Sequence, residues 1–299
     1  MLIDIHAHVY RKPIPIAAPP FCSAEELLAY NDRLGIDIAF LLPIVNPEMY
    51  YPQTNEDIIE IAQQYPDRFV PFCNIDPRAM NNNPNSPLDK PLQYYKDLGC
   101  KGIGEVMPNM DLLDPKVQNL FYCAEKVGLP VTYDGSVEHD GDFGLYDDPG
   151  LPQLECTLQR FPKLTIFGHG PVFWSEIAKL ETVGERGVFH RFQGGQVVRL
   201  PNSKIKEEGT VPKLLRKYPN LMCDLSDCTA YNALTRDEDY IVSFIEEFGD
   251  RMFFGTDVVA SFMEVPLIGT LERWLKEGKI SKANYNKITH ENAMKMFDL

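Results

Sequence analysis

The sequence contains few basic residues and no long apolar run. Its 29 Lys and Arg residues are outnumbered by 43 Asp and Glu residues, which gives a formal net charge of −14 at pH 7. An acidic chain repels nucleic acid and anionic lipid, so we expect neither as a partner. No basic segment precedes an apolar stretch long enough to span a bilayer, so we predict no signal peptide and no membrane span.

The chain also lacks paired cysteines and a glycine-rich phosphate turn. Its seven cysteines are scattered, and no two form a CxxC motif. This pattern favours free thiols in a reducing compartment, so we predict a cytoplasmic protein without disulfides. A doubly wound sheet would carry a glycine-rich turn after its first strand, and the sequence has none there.

One pattern recurs along the whole chain. A helix-like segment ends at Gly or Pro and leads into a short apolar run, as in "EKVGLPVTYD" and "QRFPKLTIFGH". Such runs are typical of parallel strands buried on both faces. With the opening "LIDIH" included, we predict eight strands that start near residues 2, 38, 69, 101, 130, 164, 221 and 251. Eight strands alternating with helices predict an α/β fold of the (β/α)8 TIM-barrel type.

The interval between the sixth and seventh predicted strands is nearly twice the usual length. Its surplus residues, about 181–209, contain "GERGVFHRFQGGQVVRLPNSK". No linker or shift in composition marks a second domain. We therefore predict one domain over residues 1–299, with this insertion at the active-site mouth.

The opening "LIDIHAHVY" places two histidines on one face of a predicted strand. Residues two apart in a strand point to the same side, so His6 and His8 lie next to each other. Two imidazoles at this spacing can bind one metal ion from two directions. A pair of partly exposed histidines without a ligand is the alternative.

Polar and charged side chains stand at the C-terminal end of nearly every predicted strand, where TIM barrels carry their chemistry. They are His6, His8, Asn74, Asp76, Glu105, Asp134, His169, Asp224, Ser226, Asp227 and Asp257. The histidines and carboxylates together form a ligand set suited to a divalent metal, with Zn²⁺ preferred and Mn²⁺ or Fe²⁺ as alternatives.

Each of these side chains also has a structural interpretation. Glu105 could form a salt bridge with Lys101, and His169 could be a packed loop residue. Asp257 could cap the helix that follows it. In "CDLSD", Asp224 and Ser226 could stabilise a turn or cap a helix, and such a role is at least as consistent with the sequence as a role in catalysis.

The chain resembles the amidohydrolase superfamily, specifically its amidohydrolase-2 branch. The matching phrases are "DIHAH", "GHG", "YPNLMCDLS", "FGTD" and the closing "ITHENAMKMF". That branch contains aminocarboxymuconate-semialdehyde and resorcylate decarboxylases, with related lactone hydrolases and hydratases. The resemblance implies that His6 and His8 bind a divalent metal and that Asp257 binds it and exchanges a proton with its water. It also implies that His169 binds a second metal or acts as an acid or base.

One position departs from the family pattern. The family usually carries a histidine at the end of strand five, where this chain has Asp134 in "LPVTYDG". Decarboxylase-type members use that histidine as a ligand. Glu105 could compensate, Asp134 could itself bind the metal, and His139 in the following acidic loop is a further alternative.

Three functions remain open from the sequence. The first is hydrolysis of a lactone, amide or ester of a small carboxylic acid by metal-activated water, with Asp257 and His169 as catalytic residues. The second is non-oxidative decarboxylation of a small or aromatic carboxylic acid. The third is a non-catalytic barrel that binds a ligand, and an empty metal site would favour it.

Loops after the strands are expected to determine specificity. Tyr50 and Trp174 are candidate pocket residues, although Trp174 could equally be packing. In the insertion, Arg191 rather than Arg199 is predicted to hold an anionic group of a small carboxylate substrate, because guanidinium groups match carboxylates. Pairing with acidic neighbours is the alternative. A homodimer would be unsurprising for this family.

Overall fold

We describe the protein from a computed structural model. The structure describes residues 1–12, 20–49, 51, 53–139, 143–192 and 195–299, without the side chains of residues 183 and 188–198. Among these residues, no helix is both long enough and apolar enough to cross a membrane. All seven cysteines are unpaired.

Eight short strands follow the order and spacing that the sequence predicts. They are β1 (Ile3–Ala7), β2 (Ile38–Leu41), β3 (Phe69–Pro71), β4 (Ile103–Val106), β5 (Val131–Ser136), β6 (Ile166–His169), β7 (Leu221–Asp224) and β8 (Met252–Phe253). Strands β1, β2 and β3 pair in parallel in that order, and β4 to β8 form a second parallel series.

The two series are joined at both ends. Isolated parallel bridges link Cys73, after β3, to Ile103 of β4, and Ala7 of β1 to Val258, after β8. The predicted TIM-barrel class is therefore confirmed, and all eight strands run in the same direction. Their C-terminal ends consequently meet on one face.

Helices alternate with these strands, and several begin at residues that cap them. Ser23 and Glu26 form a capping box, and Thr54 and Asp57 form another. The α-helices are Ala24–Leu34, Asn55–Gln64, Ala79–Asn82, Asp89–Asp97, Pro115–Val127, Pro152–Arg160, Gly170–Ser175, Thr210–Lys217, Asp227–Thr235, Glu238–Phe248, Pro266–Lys276, Lys282–Asn286 and Asn292–Phe297. Short 3₁₀ turns cover Pro47–Met49, Val183–Glu185 and Gly249–Arg251, and a π-turn covers Lys287–Glu291.

The predicted insertion contains an antiparallel hairpin. Its strands are Val188–Phe192 and Gly195–Arg199. The segment leaves and rejoins the barrel at a narrow neck, where an antiparallel bridge pairs Ala178 with Glu208. One further short strand, Leu145–Tyr146, pairs with the end of β5.

Aromatic packing connects the two strand series from the inside. Phe297, in the last helix, lies 4.6 Å from Phe40 of β2 and 6.2 Å from Phe167 of β6, measured between ring centroids. Phe167 in turn packs edge-to-face on Phe253 of β8 at 5.0 Å. These rings bury apolar area between strands that are distant in sequence, and this holds the strand ends in place.

Candidate metal centre

Four strand-end side chains converge to form a compact cluster of possible ligands. They are His6 and His8 of β1, Glu105 of β4 and Asp257 after β8. The two Nε2 atoms of the histidines lie 3.2 Å apart. Glu105 Oε2 lies 3.5 Å from each Nε2, and Asp257 Oδ1 lies 3.1 Å from His8 Nε2 and 3.6 Å from His6 Nε2.

These separations fit one divalent ion bound by all four side chains. With ligand bonds of about 2.0–2.2 Å, neighbouring ligand atoms on a four- or five-coordinate ion lie about 2.8–3.8 Å apart. The observed separations of 3.1–3.6 Å lie within that range. The donor set of two imidazoles and two carboxylates thus fits a divalent metal.

The outer ring nitrogens hold the two imidazoles in the orientation that metal binding needs. His6 Nδ1 lies 2.7 Å from Asp224 Oδ2, and His8 Nδ1 lies 2.8 Å from the carbonyl oxygen of Leu42. When each Nδ1–H donates to these acceptors, each Nε2 presents its lone pair to the cluster. The end of β2, which carries no ionisable residue, therefore contributes a backbone oxygen.

Close backbone packing positions Asp224 at the end of β7. Its carbonyl oxygen accepts a hydrogen bond from Trp174 Nε1 at 3.0 Å, and its Oδ1 accepts one from the Ser226 amide at 3.0 Å. A Cβ at Gly255 would come within 2.8 Å of Asp224 Oδ1 and 3.3 Å of His6 Cβ. The glycine of "FGTD" is therefore required because His6 and Asp224 pack directly against it.

The neighbouring residues of "FGTD" brace β8 against β1. The Thr256 amide and hydroxyl donate to the two oxygens of Asp4 at 2.9 and 2.6 Å. Asp257 adopts a left-handed conformation with φ of 54°, and its amide donates to the His6 carbonyl oxygen at 2.7 Å. That unusual backbone turns the Asp257 carboxylate toward the histidines, and this side chain caps no helix.

The electrostatics of the cluster favour a positive charge at its centre. Burial alone would lower the pKa of His8, but hydrogen bonds to Asp257 and Glu105 raise it to about 9. Burial alone would raise the pKa of Glu105, but His6 and His8 hold it well below its usual range. The cluster thus stabilises positive charge among its carboxylates, which a proton or a metal ion can supply.

Asp134 and His169 extend the cluster on the other side of Glu105. His169 Nε2 lies 3.5 Å from Glu105 Oε1, and Asp134, Glu105 and His169 together form a second group of possible ligands. Asp134 Oδ1 is buried without a hydrogen-bond partner. Burial, followed by the nearby Glu105 and Asp257 carboxylates, raises the pKa of Asp134 well above its usual range.

The second glycine of "GHG" makes room for Asp134. Gly170 has a φ of 82°, and a Cβ there would lie 1.7 Å from Asp134 Oδ1. Only glycine satisfies both the backbone conformation and this close approach. The "GHG" motif therefore supplies His169 to the site and also leaves space for the Asp134 carboxylate.

Ser226 is a site residue whose role the sequence did not reveal. Its hydroxyl lies 3.2 Å from His6 Nδ1 and 3.0 Å from His169 Nδ1. The pattern "CDLSD" before a helix suits an N-cap, and Ser226 does occupy the cap position of the helix Asp227–Thr235. However, its side chain makes no capping hydrogen bond and instead joins the two histidines.

A pocket opens from this cluster to the face that carries the strand ends, and encloses about 680 Å³ including its open mouth. His8, Glu105, Asp134, His169 and Asp257 all line it. The predicted catalytic and metal-binding residues thus lie at one site, and Glu105 interacts with the histidines there.

The predicted specificity residues are placed differently. Trp174 is 1% exposed and lies behind the site, where it supports the end of β7 through Asp224. His139 is exposed and pairs with Asp111, away from the cluster. Tyr50 and the side chain of Arg191 lie outside the described residues.

Solved structures of similar fold cover nearly the whole chain. An uncharacterized TIM-barrel protein from Bordetella bronchiseptica is 18% identical, with a TM-score of 0.65 and coverage of 99% of this chain and 98% of that one. A probable 2-pyrone-4,6-dicarboxylic acid hydrolase from Acinetobacter baumannii, with citric acid bound, is 14% identical, with a TM-score of 0.59 and coverage of 100% and 99%. At these identities, the similarity concerns the fold.

A third neighbour contains a metal ion. It is the 5-carboxyvanillate decarboxylase from Novosphingobium aromaticivorans, complexed with manganese and 4-hydroxy-3-methoxy-5-nitrobenzoic acid. It is 13% identical, with a TM-score of 0.63 and coverage of 100% of this chain and 96% of that one. The structural neighbours thus include both a hydrolase and a decarboxylase.

A family model identifies the chain itself. None of the curated proteins matches it. The amidohydrolase-2 family model, described as amidohydrolase, matches residues 3–299. The match begins at β1 and includes every residue of the cluster. The chain belongs to the amidohydrolase-2 family.

Proposed function

We propose that the protein is a metal-dependent hydrolase that cleaves a lactone, amide or ester of a small carboxylic acid. The observation that carries this proposal is the four-donor cluster of His6, His8, Glu105 and Asp257, which borders an open pocket. A divalent ion held there would lower the pKa of a bound water from about 15.7 toward about 7. Zinc suits this donor set best, with manganese or iron as alternatives.

Asp257 is suited to proton transfer because it is the cluster residue nearest to solvent. Its side chain is 22% exposed, whereas those of His6 and Glu105 are 0% and 3% exposed. In this proposal Asp257 accepts the proton of the attacking water and then delivers it to the leaving group.

His169 is suited to binding the oxygen of the substrate carbonyl. Its Nε2 faces Glu105 in the pocket, and its Nδ1 contacts the Ser226 hydroxyl. When Ser226 donates to Nδ1, the imidazole carries its proton on Nε2 and can donate to the developing oxyanion. A single such donor contributes about 2.7–4 kcal/mol to transition-state stabilisation.

The site also has donor atoms for a second metal ion. Glu105 presents Oε2 to His6 and His8, and Oε1 to His169. With the unpartnered Asp134 Oδ1, the second group of donors could hold a second cation, and His169 Nε2 would then bind that ion instead of donating to the oxyanion. Metal analysis of the wild-type protein and of Asp134→Asn distinguishes the cases, because only a two-ion site loses about one equivalent in the variant.

Decarboxylation is the second candidate, and its support is the similarity to a carboxyvanillate decarboxylase structure. Two features weigh against it. Asp134 replaces the usual strand-five histidine, and the carboxylate-rich cluster repels an anionic substrate. We therefore place hydrolysis first.

Arg191 remains our candidate for holding an anionic group of the substrate at the pocket mouth. It belongs to the hairpin strand Val188–Phe192 in the insertion after β6. Arg191→Ala should lower kcat/KM for a carboxylate-bearing substrate by about 10-fold, the effect of a charged hydrogen bond of about 1.5–3 kcal/mol. Wild-type kinetics in the variant would remove this role.

Isotope incorporation tests the reaction class directly. The zinc-loaded protein is incubated in ¹⁸O-water with a panel of small lactones, esters, amides and aromatic acids, and Asp257→Asn serves as the control. Hydrolysis places one ¹⁸O atom in the product carboxylate and gives no carbon dioxide. Carbon dioxide release without ¹⁸O in the remaining product would overturn the proposal in favour of decarboxylation.

A further inference from the structure

One wall of the catalytic pocket is apolar. It is formed by Phe21, Ile44, Met49, Met107 and Val259, which follow β1, β2, β4 and β8, and we call these five residues the apolar wall. Phe21, Ile44, Met49 and Met107 are at most 8% exposed, and Val259 is partly buried. A ligand in the pocket therefore meets side chains that are already desolvated and packed.

The aromatic part of this wall is fixed beside the metal centre. Phe21 packs edge-to-face on Tyr10 at 4.7 Å and on Tyr51 at 5.1 Å between ring centroids. It also lies edge-on to the candidate ligand His8 at 6.3 Å. The apolar wall thus begins next to the cluster, and a group attached to the reacting carbonyl would lie against it.

A second part of the pocket wall is acidic. Beyond Glu105 and Asp257, the carboxylates of Asp134 and Asp227 line the pocket. Asp227 Oδ2 receives long contacts from Cys228 Sγ at 3.5 Å and from the Thr229 amide at 3.4 Å. Among the described side chains that line the pocket there is no Lys or Arg. Away from the metal ion, an anionic group inside it would meet acidic side chains and no Lys or Arg to pair with.

We propose that the part of the substrate inside this pocket is an uncharged aryl group attached next to the reacting carbonyl. The apolar wall receives one face of the ring, where the thioethers of Met49 and Met107 suit contact with an aromatic ring. Any carboxylate of the substrate stays at the mouth, outside the acidic part of the pocket. This inference rests on the proposed metal-dependent hydrolase and specifies its substrate class.

Three hydroxamates that bind through a metal ion test this inference by affinity alone. Acetohydroxamate reports the metal centre, benzohydroxamate adds an uncharged ring, and 4-carboxybenzohydroxamate adds a distal anion. Dissociation constants are measured by calorimetry on the zinc-loaded wild-type protein. We expect benzohydroxamate to bind at least about 10-fold more tightly than each of the other two probes, from burial of the ring and exclusion of the anion.

Two variants with matched controls assign the effects to the two walls. Met107→Ala should reduce the preference for benzohydroxamate over acetohydroxamate several-fold, whereas Met80→Ala, at a methionine that is 43% exposed, should not. Asp227→Asn should reduce the ratio between the dissociation constants of 4-carboxybenzohydroxamate and benzohydroxamate. Glu264→Gln is its matched control. It removes an acidic residue that lies outside this pocket, and it should leave that ratio of dissociation constants unchanged.

The outcomes separate this inference from the proposal on which it rests. If acetohydroxamate does not bind the zinc-treated protein, the metal centre is wrong and the inference falls with it. If acetohydroxamate binds but benzohydroxamate binds no more tightly, only the aryl inference is overturned. Tighter binding of the carboxylated probe than of benzohydroxamate would also overturn it, and would point to Arg191 inside the pocket.

Discussion

At the scale of single residues, His6 shows how much of the site depends on support from distant parts of the chain. One ring nitrogen faces His8, and the other faces Asp224 and Ser226, which are more than two hundred positions away. The histidine pair could be predicted because strand periodicity is local. The roles of Asp224 and Ser226 could not, because acidic and hydroxyl residues at a strand-to-helix turn fit capping equally well.

Asp224→Asn tests this support at the residue scale. The amide keeps the size of the side chain but removes the charge that orients His6 Nδ1 at 2.7 Å. Loss of such a partner typically weakens metal affinity by about 10–100-fold. We expect that loss in a chelator competition assay with zinc, whereas Asp250→Asn, at an exposed aspartate that pairs with Lys287, should bind zinc normally. Normal zinc affinity in Asp224→Asn would show that His6 needs no orienting carboxylate.

At the scale of elements, the positions of the strands could be predicted because each follows a helix stop within a few residues. The hairpin in the insertion could also have been found, since two β-rich runs flank Gln193 and Gly194 in the sequence. The left-handed turn at Asp257 could not, because it arises from packing of the β8 end against β1. Tertiary contacts fix such local backbone conformations.

Gly255→Ala tests that packing between elements. The added Cβ would lie 2.8 Å from Asp224 Oδ1 and 2.9 Å from Ser226 Cβ, so the ends of β7 and β8 must move apart. We expect a lower thermal midpoint and weaker zinc binding. Gly269→Ala is the matched control, because Gly269 lies in a helix with no atom within 4 Å of the added carbon. There alanine should leave zinc binding unchanged and stabilise the helix by up to about 1 kcal/mol. A Gly255→Ala protein with wild-type zinc affinity would refute the close-packing account.

At the scale of the whole molecule, the barrel and its family could be predicted, but the lining of the pocket could not. The residues of the apolar wall come from four loops, and their proximity depends on the spatial order of the strands. Loop side chains carry no periodic pattern that reveals which of them meet. The same limit applies to Asp147, which a single sequence presents as one more acidic loop residue.

Asp147 gives a stability prediction that depends on pH. Burial raises its pKa to about 7, although its oxygens accept hydrogen bonds from the amides of Gln153 and Leu154. A folded pKa above the unfolded value near 3.9 means that the folded protein retains the proton longer. Its stabilising contribution is therefore present below about pH 4 and is lost as pH rises through about 7.

Asp147→Asn removes this titration. The unfolding free energy of the variant minus that of the wild-type protein should rise between pH 4.5 and pH 7.5, by at most about 4 kcal/mol. Urea denaturation of both proteins across this pH range measures this difference in unfolding free energy. Other buried carboxyls such as Asp4 are present in both proteins, so their contributions cancel. A difference that stays constant with pH would contradict a raised pKa at Asp147.

The central claim is that the ends of β1, β4 and β8 bind a divalent metal. Crystals grown with zinc and measured on both sides of the zinc absorption edge test it most directly. We predict an anomalous peak about 2.0–2.3 Å from the Nε2 atoms of His6 and His8 and from an oxygen of Asp257, with Glu105 also in contact. A zinc-replete crystal with no peak between these residues, or with its zinc bound only elsewhere, would contradict the account.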